Sequence, residues 1–238
     1  MSRSLLALPV LPGKTDDDAK LSANEFRARP REYEASRRRA GITLERAYLQ
    51  KTPMGDFVVA YIESSLEFAA SARLMAESDL AIDGFFARTT KEVHGIDITQ
   101  VLEGSPPETV AVWFDPHVTS RGRGLAFCAP LIPDAAATAK TILAQESTWK
   151  EFGQSRRGKD QNIEVVGLQI TPQGPIGTFY LEGADPVDAI RRFALSERPY
   201  DLRFRGLLKK IFLPVGDFSQ ALAGIEEIFD STQVAALT

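Results

Sequence analysis

Laid over itself at a constant offset of 119 residues, the chain repeats. Twelve of the thirty-two positions in Glu32–Glu63 are identical to those in Glu151–Glu182, with no gap, where average composition would give roughly two. Ser36-Arg37-Arg38 recurs as Ser155-Arg156-Arg157, Gln50-x-Thr52-Pro53-x-Gly55 as Gln169-x-Thr171-Pro172-x-Gly174, and Tyr61-x-Glu63 as Tyr180-x-Glu182. Solenoid units run about 20 to 50 residues, so a period this long marks a duplicated domain. Whatever fold one copy adopts, the other must adopt a version of it, and the expected division is 1–118 and 119–238.

At 238 residues the chain is long enough for two units that each bury a core. The formal net charge of −4 offers no basic footprint for nucleic acid. One cysteine, Cys128, excludes an internal disulfide. The apolar stretch Leu5–Pro12 is too short for a membrane span or a signal peptide, so a soluble, cytoplasmic protein is expected.

The punctuation of the first unit spells out its elements. Leu5–Leu11 is an apolar run closed by Pro12-Gly13, read as strand and turn, and Phe127–Ile132, closed by Pro133-Asp134, is its counterpart. Thr15–Arg39 reads as helix broken near Pro30 and ended by Gly41. Leu44–Gln50 and Phe57–Glu63 are strands joined by Thr52-Pro53-Met54-Gly55, a type I turn pattern. Ser65–Val93 returns to helical spacing with a break where Asp79 can cap, and Val110–Phe114 supplies a fourth strand. The order β-α-β-β-α-β is the ferredoxin-like unit, and the class is α+β. The second unit repeats this order as far as Phe212. Gly216–Gln220 then echoes Gly95–Gln100 loosely, Ala221–Phe229 reads as helix, and Val234–Leu237 is the candidate for the last strand.

Phe57–Ile62 and Val110–Phe114 are apolar on both alternating faces, whereas a sheet with one wet face alternates apolar with polar. Helices cover one face of such a unit. The expectation is therefore a pseudo-twofold pair of sheets face to face, an intramolecular α/β barrel with helices outside.

Four strings carry a family resemblance: Leu8-Pro9-Val10-Leu11-Pro12-Gly13; Glu32 to Ile42; Gln50-x-Thr52-Pro53-x-Gly55-Asp56; and Glu92-Val93-His94-Gly95-Ile96-Asp97. Together they resemble a group of uncharacterised bacterial proteins of the dimeric α/β-barrel superfamily. The resemblance covers most of the first unit and is weaker in the second, where Phe212-Leu213 replaces the His-Gly pair. It implies the fold. Function is implied only broadly, because the superfamily holds antibiotic-biosynthesis-type monooxygenases, stress-responsive barrel proteins, haem-degrading enzymes and chlorite-dismutase-like tandem proteins.

Two histidines and one cysteine give no metal-ligand spacing. His94 stands at a helix end beside Gly95 and reads either as a C-terminal cap or as a functional imidazole; His117 reads as a solvated loop residue. Arg37, Arg38 and Arg39 suit an anion such as a phosphate or propionate, or pairing with Glu32, Glu34 and Glu45. Gln50 and Glu63 recur in the second unit and read as internal partners of buried polar groups. Tyr48 faces Gly167 and His94 faces Phe212 in the comparison of units, so this asymmetry puts the candidate site in the first unit. Cys128 reads as a buried apolar residue.

The leading expectation is a metal-free pocket in the first unit, lined by Tyr48, Tyr61, Phe85, Phe86, His94 and Trp113, with Arg37 and Arg38 as further ligand-binding candidates. It would hold a small organic ligand, either in a binding protein or in a cofactor-independent monooxygenase-like enzyme with His94 as proton acceptor or hydrogen-bond donor. The haem-binding relatives imply a second reading, with His94 as axial ligand and Arg37 or Arg38 holding a propionate. A non-catalytic structural or interaction protein is the third. A monomer with an internal pseudo-dimer, or a homodimer, is expected, with neither nucleic acid nor membrane as partner.

Overall fold

The computed structural model describes residues 1–98, 106–171, 174–213, 222 and 224–235. The chain opens with strand β1 (Ser2–Pro9), helices α1 (Asp16–Ala19), α2 (Leu21–Ala28) and α3 (Pro30–Arg39), the hairpin β2 (Ile42–Gln50) and β3 (Phe57–Ser64), and helices α4 (Phe68–Ala76) and α5 (Ala81–His94). Then follow β4 (Glu108–Phe114), β5 (Arg123–Pro130), α6 (Ala136–Ser147), α7 (Lys150–Arg157), β6 (Gln161–Thr171), β7 (Gly174–Gly183), α8 (Pro186–Leu195) and α9 (Pro199–Leu208). Last come β8 (Ile225–Asp230) and the short α10 (Ser231–Ala235). Among the described residues no helix is long and apolar enough to cross a membrane.

Local chemistry accounts for many of these boundaries. Thr15 and Asp18 form a reciprocal capping box at the start of α1. Pro30 occupies the first turn of α3, where its missing N–H costs nothing. Gly55 N–H donates to Thr52 O at 3.1 Å, and the φ of Gly55 is 115°, which glycine adopts without strain; the turn brings Gln50 opposite Phe57. Gly95, at φ 69°, closes α5. Asp185 caps α8 by accepting from Asp188 N–H. Asp79, by contrast, is no cap: Leu80 holds the N-cap position of α5 without a side-chain bond, and Asp79 pairs with Arg39 at 3.0 Å.

The sheets run β1-β3-β2-β8 and β4-β6-β7-β5, and the described ladders are antiparallel. In the first, Leu5 stands opposite Tyr61 and Ala47 opposite Ala60. In the second, Ala126 and Val165 both stand opposite Tyr180. The ferredoxin-like β-α-β-β-α order is present in both, and the fourth strands change places. Val110–Phe114, read as the fourth strand of the first unit, lies in β4 and pairs with β6, with Trp113 opposite Glu164, while β8 stands beside β2 in the first sheet. The chain accordingly divides into Met1–Pro106 with Glu226–Thr238, and Pro107–Ile225, rather than at 118. A strand that is apolar on both faces fits the edge of either sheet, so its pattern carries no address.

The C-terminal expectations need correction as well. Residues 225–229, read as helix, lie in strand β8, and residues 231–235, where the last strand was expected to begin, are helix α10. The echo at 216–220, residues 99 and 100 of its first-unit counterpart and the end of the candidate strand at 236–237 lie outside the described residues. In the first unit Phe26, Tyr33, Ile82, Phe229 and Val234 pack into one cluster. In the second, Ala139, Leu143, Phe152, Leu168, Phe204 and Ile211 do so.

Candidate functional site

Each unit buries an arginine, and each does so with the same partners. Arg37, in the last turn of α3, donates from Nε to Glu45 Oε2 at 2.8 Å, and Ser36 Oγ donates to Asp83 Oδ1 at 2.5 Å. Arg156, in the last turn of α7, donates from Nε to Glu164 Oε2 at 2.6 Å and from Nη2 to Glu164 Oε1 at 3.0 Å. Ser155 Oγ donates to Asp201 Oδ1 at 2.5 Å. Each guanidinium lies over aromatic rings, Arg37 at 4.5 Å from Phe26 and Arg156 at 4.1 Å from Phe152, a cation–π seat. The recurring Ser-Arg-Arg motif is thus explained first by charge pairing inside the unit. Deleting one partner of such a pair strands a buried charge, at about 3–5 kcal/mol.

Around the second of these arginines lies a cavity of about 550 Å³, within the usual range for small-molecule sites. Its walls are Phe127, Phe179, Ile190, Phe193, Phe204 and Phe212. Its floor is Arg156, Lys159, Gln161 and Glu164, all buried. Arg205, half-buried, and Lys209, exposed, complete the lining at the solvent side. Lys159 Nζ has three acceptors: Ser155 Oγ at 2.7 Å, Asp201 Oδ2 at 2.9 Å and Ser155 O at 3.1 Å. Gln161 Nε2 donates to Glu164 Oε2 at 2.7 Å. Burial lowers the Lys159 pKa against the pull of Asp201. Burial also works against the charged form of Asp201, but hydrogen bonds from Ser155, Ser196 and Lys159 hold that carboxyl below its usual range.

The repeat shows why the cavity belongs to this unit. At the offset of 119, Lys159 stands where the first unit has Ala40, Gln161 where it has Ile42, and Leu181 where it has Ile62. Ala40, Ile42, Met75 and Ile62 pack together as core. Lys159 and Gln161 instead turn to Asp201 and Glu164, and the space beside them stays open. Gly177, opposite Val58 in the repeat, contributes too: a Cβ there would come within 2.6 Å of the Phe212 ring that walls the cavity. Comparing the units position by position does reveal this site. The differences that border the cavity are Ala40/Lys159 and Ile42/Gln161, whereas the comparison of Tyr48 with Gly167 and of His94 with Phe212 pointed to the first unit.

Neither described cavity gathers the residues expected in the first unit. Tyr48 is buried, its hydroxyl 3.4 Å from Glu227 Oε2, and burial with the Glu227 charge pushes its pKa up. Tyr61 donates to Glu63 Oε1 at 2.6 Å, as Tyr180 does to Glu182 Oε2. Phe86 packs on Phe26 at 5.8 Å between ring centroids, and Phe85 is half-buried. Trp113 belongs to the second unit, where it meets Phe152 at 6.3 Å. None of these six expected residues, His94 included, lines either of the two described cavities. The other cavity, about 370 Å³ in the first unit, does bring Arg37 and Arg38 together, with Tyr33 and Ser231. Arg38 is exposed there, while Arg37 is committed to Glu45 and Asp83. Arg46, a further cation of that region, pairs with Asp230 at 2.9 Å.

His94 lies in the last turn of α5 and is 8% exposed. Its Nδ1 is 2.9 Å from Pro9 O, so Nδ1 carries the proton and donates. Burial lowers its pKa, opposed by that bond, and the ring is therefore a neutral tie between α5 and the end of β1 rather than a cationic cap. Haem, the cofactor implied by the resemblance, needs an open slot on the free ring nitrogen and cations for its propionates. Among the described residues neither cavity borders His94, and Arg37 is already paired while Arg38 is exposed, so the haem reading finds no slot there. His117 is an exposed loop residue, its N–H donating to Asp115 Oδ1. Cys128 is buried, and burial pushes its thiol pKa up to about 12. Among the described residues no cluster of three His, Cys, Asp or Glu side chains could hold a metal ion.

No family model and no curated protein matches the chain. Solved structures do resemble it. One from Fusobacterium nucleatum subsp. nucleatum, named "Putative monooxygenase", aligns over 94% of this chain and 88% of its own, with a TM-score of 0.50 and 8% identity. A second, described as an anthrone oxidase-like protein, aligns over the same shares with a TM-score of 0.48 and 10% identity. At such identity the first match supports a shared fold.

Proposed function

We propose that the protein binds a small, largely apolar organic molecule in the cavity of its second unit. The observation that carries this is an open, phenylalanine-walled space of about 550 Å³ set on a buried, internally paired polar floor. Open apolar volume forfeits packing contacts, and at the equivalent positions of the first unit Ala40, Ile42 and Ile62 pack with Met75 as core. The first unit serves as scaffold in this reading.

A cofactor-independent, monooxygenase-like reaction is the class to assay. Its support is the fold shared with the Fusobacterium protein of that name and the apolar walls of the cavity. The one carboxylate among the lining residues, Glu164, is held by Arg156 and Gln161, so a base for such a reaction is not assigned.

Binding is tested with Nile red, a neutral apolar dye whose emission rises in dry surroundings. Ala194, half-buried on the cavity wall, is replaced by tryptophan to fill the space. Wild-type protein is expected to bind the dye, and Ala194→Trp to weaken binding at least about tenfold while melting near the wild-type temperature. Equal binding by both proteins would refute the assignment.

A further inference from the structure

The cavity has an electrostatic gradient that the shape alone does not show. On the floor, two cations meet two carboxylates. Arg156 is bound twice by Glu164, and the three N–H bonds of Lys159 go to Asp201 and twice to Ser155. That cluster is neutral and its strongest donors are spent. At the solvent side the balance differs. Arg205 donates from Nη1 to Phe193 O and from Nη2 to Ser196 O at 2.7 Å. Both acceptors are backbone carbonyls, which satisfy hydrogen bonds without cancelling the charge. A guanidinium has five N–H donors, so three have no hydrogen bond among the described residues. Lys209 is exposed, and among the described residues no ion pair is formed by either Arg205 or Lys209.

An apolar molecule entering this cavity thus passes two cations that form no ion pair among the described residues and meets a neutral floor inside. Resting on the small-molecule reading above, we infer that the ligand is an apolar carboxylic acid held as its carboxylate, its hydrocarbon body against the phenylalanines and its head at Arg205 and Lys209. The orientation follows from desolvation. A carboxylate pushed to the floor would lose water and find its cations already paired, whereas at the mouth it keeps part of its hydration and gains charge-assisted bonds.

The test is displacement of bound Nile red by dodecanoate and by dodecan-1-ol, which match in chain and differ in head charge, at about pH 8 where the acid is ionised. Dodecanoate is expected to displace the dye at about tenfold lower concentration than the alcohol. The preference should shrink in about 0.5 M salt, which screens exposed charge, and fall severalfold in Lys209→Glu and Arg205→Met. Arg205→Met also removes two bonds to backbone, so Lys209→Glu, at an exposed position, keeps the test decisive if the former fails to fold. Equal displacement by acid and alcohol, or an unchanged preference in Lys209→Glu, overturns the inference. If Nile red still binds and still responds to Ala194→Trp in that case, only the acid is lost. If it does not respond, the cavity assignment goes with it.

Discussion

His94 shows how far a single side chain can be read before its neighbours are known. Its place beside Gly95 at a helix end was legible; the direction of its ring was not, because the partner, Pro9 O, lies 85 positions away in sequence. The bond makes a stability prediction. His94→Ala removes a part-buried donor and leaves the Pro9 carbonyl without it, which costs about 1–2 kcal/mol, measured by urea denaturation at neutral pH. The lowered pKa adds a pH dependence. Below about 6.5 the unfolded chain takes up a proton on this ring that the folded chain resists, so stability is present above that pH and falls as acid is added, down to the folded pKa. Asp201, also lowered, contributes a second loss beginning below the ordinary aspartate range. A wild-type acid titration is expected to lose stability in both windows, and His94→Ala to flatten the upper one; an unchanged upper slope would contradict the buried neutral tie. The same variant settles haem. Hemin is expected to give no Soret shift that depends on His94, and a shift abolished by His94→Ala but preserved in His117→Ala would reverse that conclusion.

Among the elements, β2, β3 and their turn were legible because Thr52-Pro53-Met54-Gly55 is short and its chemistry local. The helices between Thr15 and Arg39 were legible because Pro30 and Gly41 punctuate them. The fourth strands were not: Val110–Phe114 is apolar on both faces, and nothing within it says which sheet it joins. Residues 225–229 misled for a related reason, since Ile225, Ile228 and Phe229 have helical spacing, and tertiary pairing with β2 overrides it. If β8 completes the first sheet, removing residues 225–238 should injure the first unit and not merely shorten the chain. Arg46 would lose Asp230, Arg27 would lose the Ile228 carbonyl, and Phe26 and Tyr33 would lose Phe229. The truncated protein is expected to expose its first-unit amides to hydrogen exchange and to lose several kcal/mol, the scale of a buried ion pair broken on one side plus an aromatic removed from a core. Melting like that of the full chain would show that β8 is dispensable. The floor of the cavity allows the opposite experiment, a transplant. Lys159→Ala with Gln161→Ile rewrites the second unit as the first at those positions, and the double variant, less stable for the loss of the Lys159–Asp201 pair, is expected to lose Nile red binding at least about tenfold at a temperature where it remains folded. Retained binding would mean that these two residues do not hold the space open.

At the scale of the whole molecule, the duplicated sequence led to two units of one kind, and the shared arginine–glutamate pairs explain why the motif was kept in both. It did not say which copy carries the larger of the two described cavities. That depends on a few positions where the copies differ, and reading those differences requires knowing which side chains meet: Ala40, Ile42 and Ile62 are far apart in meaning until Met75 is seen to join them. The two readings now make opposite forecasts about where a bound ligand acts. With the ligand in the second unit, amide exchange should slow in β7, α8 and α9, whose Phe179, Ile190, Phe193 and Phe204 form the walls, because a ligand that binds the native state suppresses local opening around it. Exchange in α5 and at the end of β1, around His94, should stay as in the free protein. Hydrogen exchange followed by mass spectrometry, with and without saturating Nile red, distinguishes the cases. Protection centred on residues 81–94 would return the site to the first unit, and protection confined to residues 174–208 would fix it in the second, with the Ala194→Trp variant showing no change on adding the dye.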